Sequence, residues 1–392
     1  MPYQPWSVTR FTVALALSLL AIACGSSSHG NPQNPTSAQI SYTASVDLTS
    51  GQHPDFVIVA DFNMDGKPDI AVSTPNAVSV FLNQGGNVFS APIDTAVQGS
   101  TYLGNMVSGD FNGDGKSDLL IAPVSGTESV IVLLGNGDGT FTQGQTVPNS
   151  FSFLLGRVAD VNSDGHLDLI ACGNGNMGVV LGNGDGTFQA ENFLPNGPMP
   201  NSFDGCDVAD FNSDGKLDIL GANFTSDPSN LDVFLGDGTG GFSAPTTLPS
   251  GNPEPVSISA ADFNGDGKPD VLVGFQGSTA AILLNNGNGT FGSPFVIYGT
   301  ENSQSQGTTV LAADLNQDGK PDAIVSDYSI GVLTIKLNSG AGITAQSQSF
   351  TYTLAPGLSS LAVGDLNGDG ILDIAVTNIK TNEIKVFMSS RQ

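Results

Sequence analysis

Seven times along the chain an aspartate is followed at fixed offsets by Asn, Asp, Gly and Asp, in the pattern Asp-x-Asn-x-Asp-Gly-x-x-Asp. The oxygen-bearing sets are Asp61, Asn63, Asp65 and Asp69; Asp110, Asn112, Asp114 and Asp118; Asp160, Asn162, Asp164 and Asp168; Asp210, Asn212, Asp214 and Asp218; Asp262, Asn264, Asp266 and Asp270; Asp314, Asn316, Asp318 and Asp322; and Asp365, Asn367, Asp369 and Asp373. Three carboxylates and an amide oxygen converging in one short turn repel one another unless a cation sits among them. Hard oxygens at positions 1, 3, 5 and 9, with the backbone carbonyl of position 7 beside them, suit Ca²⁺. Position 6 is glycine in every copy, which supplies the sharp turn that wrapping an ion requires. Position 7 varies among Lys, His166 and Ile371, as expected if only its carbonyl is used. An EF-hand begins in the same way but needs a Glu at position 12 and helices on both sides. Here position 12 is an apolar strand residue such as Val72 or Ile121. Ordinary turn chemistry would explain one such cluster of Asp, Asn and Gly, but not seven with all four donor positions intact. The chain is therefore expected to hold up to seven structural Ca²⁺ ions.

The elements that must carry these loops are visible in their spacing, which runs 49, 50, 50, 52, 52 and 51 residues. Each copy follows a short apolar run such as residues 56–60 and leads into another such as residues 70–72. A third run follows, for example 78–82 or 130–134, and then a glycine-rich turn such as 135–141 leads to a fourth, weaker one. Position 2 is always apolar, from Phe62 to Leu366, and is expected to anchor the loop in the core. A four-stranded antiparallel unit of this length in tandem is a propeller blade, so the expected fold is all-β with seven blades. An extra strand-like run precedes the first loop at residues 40–48, whereas the last repeat stops after 383–388 with no fourth strand. The N-terminal run should close the ring as the outer strand of the seventh blade.

Two other propeller types share this period. The WD type expects Trp-Asp pairs, yet the one tryptophan, Trp6, precedes the repeats, and a kelch reading leaves the acidic loops unexplained. The repeats resemble the FG-GAP or VCBS family, the propeller of integrin α-subunit heads and of many bacterial surface proteins. Phe89-Ser90-Ala91-Pro92, Phe242-Ser243-Ala244-Pro245 and Phe291-Gly292-Ser293-Pro294 are degenerate remnants of that family's Phe-Gly and Gly-Ala-Pro elements. The resemblance implies a noncatalytic ligand-binding or adhesion module with an extracellular or envelope protein or a glycan as partner. A carbohydrate-active propeller, of lectin or polysaccharide lyase type, is the alternative.

Composition narrows the function further. With 37 acidic against 11 basic residues the net charge is −26, which excludes a nucleic-acid binder. The repeated loops account for 21 of those 37 acids, so seven Ca²⁺ would offset about half of the charge. Histidine is limited to His29, His53 and His166, and beyond Arg10 the arginines are Arg157 and Arg391, so neither a nucleophile–base pair nor an anion clamp is evident. No enzymatic activity is expected, and a monomer is. Residues 1–23 have one basic residue and an apolar run at 11–22, as a secretory signal does. Leu20-Ala21-Ile22-Ala23-Cys24 resembles the lipobox of bacterial lipoproteins, which implies lipidation of Cys24 and an anchored, exported protein at the outer membrane or cell surface. Residues 24–37 lack large apolar side chains and read as a tether, leaving 38–392 as the propeller. Cys172 and Cys206 suit either a disulfide or two small buried thiols. The ligand is expected on the face opposite the acidic loops, with Tyr102, Phe151, Phe153, Phe203, Phe224 and Tyr328 as candidate aromatic contacts.

Overall fold

A computed structural model describes residues 40–391 apart from 52, 127–128, 149–151, 176, 196–200, 224–229, 253, 300–306, 341 and 345. The leader, Cys24 and the tether lie outside the described residues, as do Phe151 and Phe224. The described chain is built from strands. Seven four-stranded antiparallel sheets follow one another, and in blade 1 the order from the inside outward is Val57–Ala60, Asp69–Ser73, Ala77–Phe81 and Ile93–Ala96. Blades 2 to 6 repeat this order over residues 100–148, 152–193, 201–249, 255–299 and 308–353. Inner strands touch in succession from blade 1 round to blade 7 and back to blade 1, so the ring is closed. It is a seven-bladed β-propeller.

Closure comes from the two ends of the chain. Blade 7 takes Leu358–Gly364, Asp373–Asn378 and Glu383–Arg391 from the C-terminal repeat, and its outer strand is the N-terminal Ile40–Leu48. The register pairs Ile40 with Arg391 and Leu48 with Ile384. Ile40 and Tyr42 are buried in the core between blades 6 and 7, where the Tyr42 hydroxyl donates to the Leu372 carbonyl at 3.2 Å. The third strand runs to Arg391, beyond the residues 383–388 expected from its apolar run, because pairing with the N-terminal strand extends it.

The second strand Asp322–Asp327 is buried along its whole length, while the outer strand Ser349–Thr353 alternates between exposed and half-buried residues. That gradient follows from the architecture, since a second strand is covered by blades on both faces and an outer strand has one edge in water. Blades 3 and 4 are joined more closely than the rest. Their sheets fuse through Asn174 paired with Ser202 and Gly175 with Asn201, and a disulfide joins Cys172 to Cys206. A side chain at Gly156 would collide with both sulfurs, so this glycine makes room for the bridge. Nearby, the buried Arg157 donates to Asp207 at 2.8 Å and to the carbonyls of Gly156 and Ile258 at 3.1 and 3.2 Å, clasping the inner strands of blades 3, 4 and 5.

Candidate functional site

Each acidic loop connects an inner strand to the second strand of its blade, and all seven share one backbone geometry. Glycine at position 6 has φ between 81° and 87° in every copy, a left-handed conformation that side chains disfavour. Position 4 is left-handed too, as in Met64 at 61° and Gln317 at 56°, a requirement that the mixed residues there concealed. In the first loop, Oδ1 of Asp61 accepts from the Asp65 amide at 3.2 Å and Oδ2 accepts from the Gly66 amide at 2.9 Å. The Asn63 side-chain oxygen accepts from the same Asp65 amide at 3.0 Å, and Asp65 accepts from the Lys67 amide at 2.9 Å. The other six loops repeat the bonds of positions 1, 3 and 5 with distances from 2.8 to 3.1 Å. Three of the four expected donors are therefore gathered at the tip of each loop.

Position 9 has a second task. Asp69, Asp118, Asp168, Asp218, Asp270, Asp322 and Asp373 are all fully buried. One oxygen of each accepts from the position-2 amide, for example Leu315 to Asp322 at 3.0 Å, and the other accepts from an amide 14 to 18 residues downstream, for example Asn338 at 2.7 Å. These carboxylates staple the loop to the end of the third strand. Burial pushes Asp69 and Asp118 up to about 6 and Asp322 up to about 7, against the pull of the two amides, and the aspartates at positions 5 and 1 add to the rise. Among the described residues no three acidic, cysteine or histidine groups form a ready-made cluster. The donor set is nonetheless all hard oxygen, and in loops such as that of Asp322, where each position-9 oxygen accepts one amide, a lone pair is left, so the residues fit Ca²⁺ if position 9 is shared between staple and ion; Asp373 is the most heavily engaged, accepting from Leu366, Asn367 and Ser389. Four loops also hold a competing cation: Lys67 lies 2.8 Å from Asp65, Lys116 3.1 Å from Asp114, Lys268 3.4 Å from Asp266 and Lys320 3.6 Å from Asp318.

This double duty separates two variants. Asp322→Ala strands two buried amides and is expected to cost about 2–6 kcal/mol even in chelator. Asp314→Ala, on a surface-facing donor, is expected to matter chiefly when calcium is present. Melts of both variants with and without calcium check this; equal losses in chelator would contradict the assignment.

Position 2 anchors the loops as expected, being buried in all seven. Phe62, Phe111 and Phe211 meet Phe141, Phe188 and Phe291 of the next blade edge to face at 5.6–5.7 Å. Except in blade 3, the position-2 carbonyl accepts a hydrogen bond from the following blade, as from Gly139 to Phe62 and from Asn338 to Phe263. The loops thus share one face with the turns between third and outer strands.

The opposite face departs from expectation. Phe203 is fully buried in the inner strand of blade 4 against Phe234, because Asn201–Ala209 is strand rather than connecting loop. Phe203→Ala should lower stability by about 3–5 kcal/mol as a core deletion, measured by denaturant titration, rather than act on a ligand. Tyr328 is also largely buried, with Ile379 beside it, while Tyr102 is half-buried with its hydroxyl 3.0 Å from Nδ1 of His53. Phe153 lies in an inner strand, Ser152–Ala159.

Comparison with known proteins agrees with this geometry. The FG-GAP-like repeat model matches residues 61–121, 110–156, 160–221, 210–273, 262–325 and 314–376, a span that contains all seven loops. Integrin alpha-PS3 of Drosophila melanogaster is 32% identical over 99 residues, covering 21% of this chain and 9% of that protein. Integrin alpha-7 of Homo sapiens is 32% identical over 129 residues, covering 29% and 11%. Among solved structures, an Agrocybe aegerita lectin described for specific recognition of non-reducing terminal N-acetylglucosamine superposes with a TM-score of 0.55 at 23% identity, over 78% of this chain and 81% of the lectin. BBS1N in complex with ARL6DN superposes with a TM-score of 0.59 at 10% identity, over 88% and 96% of the chains. With repeat matches running from the first acidic loop to the last, the chain belongs to the FG-GAP-like repeat family as an integrin-alpha-like propeller.

Proposed function

We propose that this protein is an exported, calcium-stabilised, noncatalytic recognition module, anchored through lipid on Cys24, that presents an extracellular or envelope-directed binding face. The observation that carries the reading is the sevenfold acidic loop, whose side chains at positions 1, 3, 5 and 9 would hold the ion and are themselves fixed by backbone amides. Calcium, when bound, supplies the positive charge that the loops lack and so stiffens one face of the ring. The loops repeat almost without variation, and recognition needs difference, so the ligand belongs on the other face. The buried disulfide suits an oxidising compartment.

A lectin reading is favoured by one observation, the fold-level likeness to the N-acetylglucosamine-recognising lectin. The test is a screen of the soluble propeller against glycan and envelope-protein arrays, with calcium and with chelator. Saturable binding to a protein or a glycan that weakens in chelator supports the module; turnover of a polysaccharide instead would overturn its noncatalytic part. Fractionation checks the anchor: the full-length protein should partition into detergent and Cys24→Ala should not.

A further inference from the structure

The loop of blade 7 departs from the others in the hydrogen bonds around position 9. In blades 1, 2, 3 and 6 the aspartate there accepts two backbone amides, one on each oxygen. In blade 4 Asp218 accepts a third, from Asn212 at 3.2 Å. Asp373 accepts five. The Leu366 and Asn367 amides reach Oδ2 at 2.8 and 3.0 Å, and the Ser389 amide, the Ser389 hydroxyl and the Asn367 side-chain amide reach Oδ1 at 2.6, 2.8 and 3.1 Å. A carboxylate offers about four lone-pair sites, so both oxygens of Asp373 are filled by protein donors.

Two side chains make the difference. In the other blades the amide that caps position 9 from the end of the third strand belongs to Asn83, Gly135, Gly182, Gly236, Asn285 or Asn338. The glycines have no side chain to add, and the asparagine side chains donate to backbone carbonyls instead, as Asn83 does to Pro68 and Leu366. Ser389 in the same place adds its hydroxyl to Asp373, and that hydroxyl also lies 3.4 Å from the carbonyl of Ile371, the position-7 group expected to face an ion. Asn367 is clamped as well, its Nδ2 donating both to Asp373 and to the Ser389 carbonyl at 3.0 Å. The corresponding amides of Asn162 and Asn316 turn to the aspartate at position 5. Protein groups hold the rest of the loop too. Ile371 is buried in the core between blades 6 and 7, where the other loops carry Lys or His at position 7. The Leu372 amide donates to the Leu315 carbonyl at 3.3 Å, and the Leu372 carbonyl accepts from the Tyr42 hydroxyl of the N-terminal strand.

We propose that the loop of blade 7, residues 365–373, is built to keep its shape without calcium and is the last of the seven to fill, with Ser389 and Asn367 as the residues that set it apart. The inference deepens the calcium reading of the loops and rests on it. An ion entering this loop must displace donors from Asp373, and a hydrogen bond to a carboxylate is costly to give up. The missing position-7 lysine works the other way, since a cation beside the site opposes calcium. An exposed Lys–Asp pair contributes little, however, so the hydrogen bonds decide the order. Blade 7, which the N-terminal strand completes, therefore holds when calcium falls, and closure of the ring does not wait for the ion.

The test titrates calcium into the full chain, and into its Asp314→Ala and Asp365→Ala variants, by calorimetry in competition with a chelator of known affinity. The wild-type protein should bind its weakest ion about tenfold less tightly than the rest. Asp314→Ala should lose one tightly held ion, whereas Asp365→Ala should keep every tight ion and lose the weak one. Ser389→Gly, which copies blades 2 to 4, combined with Asn367→Asp should tighten the weak site about tenfold. Hydrogen exchange on the unaltered chain gives a check that needs no variant. On passing from calcium to chelator, the amides of residues 366–373 should speed up less than about threefold and those of residues 315–322 about tenfold or more. Loss of a tight ion in Asp365→Ala, or equal acceleration in the two loops, would overturn the proposal. A double variant that binds no more tightly would overturn the role given to Ser389 and Asn367. Absence of any calcium binding in the wild-type chain would instead overturn the calcium reading itself, and this inference with it.

Discussion

Exchanging millimolar calcium for a chelator should lower the melting temperature of the propeller by roughly 15–20 °C. With a dissociation constant of about 0.1 mM, typical of extracellular sites, each ion stabilises the native state by about 1.4 kcal/mol at about 1 mM calcium. Seven independent sites then contribute on the order of 10 kcal/mol, similar to the whole stability of an ordinary domain. At about 2 °C per kcal/mol for a chain of this size, that is the expected drop. The ring should soften rather than vanish at low temperature, because the side chains at positions 1, 3, 5 and 9 also accept backbone amides, which hold each loop by a second route. Elemental analysis in calcium buffer gives the independent check, and fewer than about four ions per chain would refute the sevenfold assignment.

Deleting residues 38–48 should have an effect of similar size by another route. The deletion removes the outer strand of blade 7, with its ladder from Ile40–Arg391 to Leu48–Ile384. Burial of Ile40 and Tyr42 is lost at about 2 kcal/mol each, and each ladder bond adds about 0.5–1.5 kcal/mol. The Tyr42 carbonyl also accepts from the Tyr352 hydroxyl at 2.8 Å, so blade 6 loses a partner as well. An exposed strand edge remains on Glu383–Arg391, which invites self-association. Circular dichroism melts and size-exclusion chromatography should show a sharply destabilised, association-prone chain. An unchanged midpoint would contradict strand closure.

The fold was legible because its information is periodic. Asp-x-Asn-x-Asp-Gly-x-x-Asp recurs once per blade at a fixed place between the first two strands, so finding the loops finds the blades, their number and the missing strand. Apolar runs located strands to within a few residues, as 78–82 became Ala77–Phe81. What stayed hidden depends on partners far apart in sequence. The aspartate at position 9 is plain in the sequence, but the amide that it caps is 14 to 18 residues away and carries no side-chain signature where it is Gly182 or Gly236. Arg157 and Asp207 are fifty residues apart and looked unrelated until adjacent inner strands brought them to 2.8 Å. Cys172 and Cys206 gave no basis for choosing between bridge and thiols, because the choice depends on how blades 3 and 4 pack. Phe203 was misplaced because the turn-rich residues around it mask a strand start.

The polarity of the closing strand sets how the disc stands on a surface. Ile40 pairs with Arg391, at the end of a third strand, and in every blade that end lies beside the acidic loop; in blade 7 the Ser389 amide reaches Asp373 at 2.6 Å. Ile40, the first described residue, therefore lies on the loop side of the ring. A protein held through Cys24 would rest with its seven loops toward the bilayer, and the opposite face would point away from that bilayer. Anchor and binding face would occupy opposite poles, so that a partner could dock without displacing the molecule from its support.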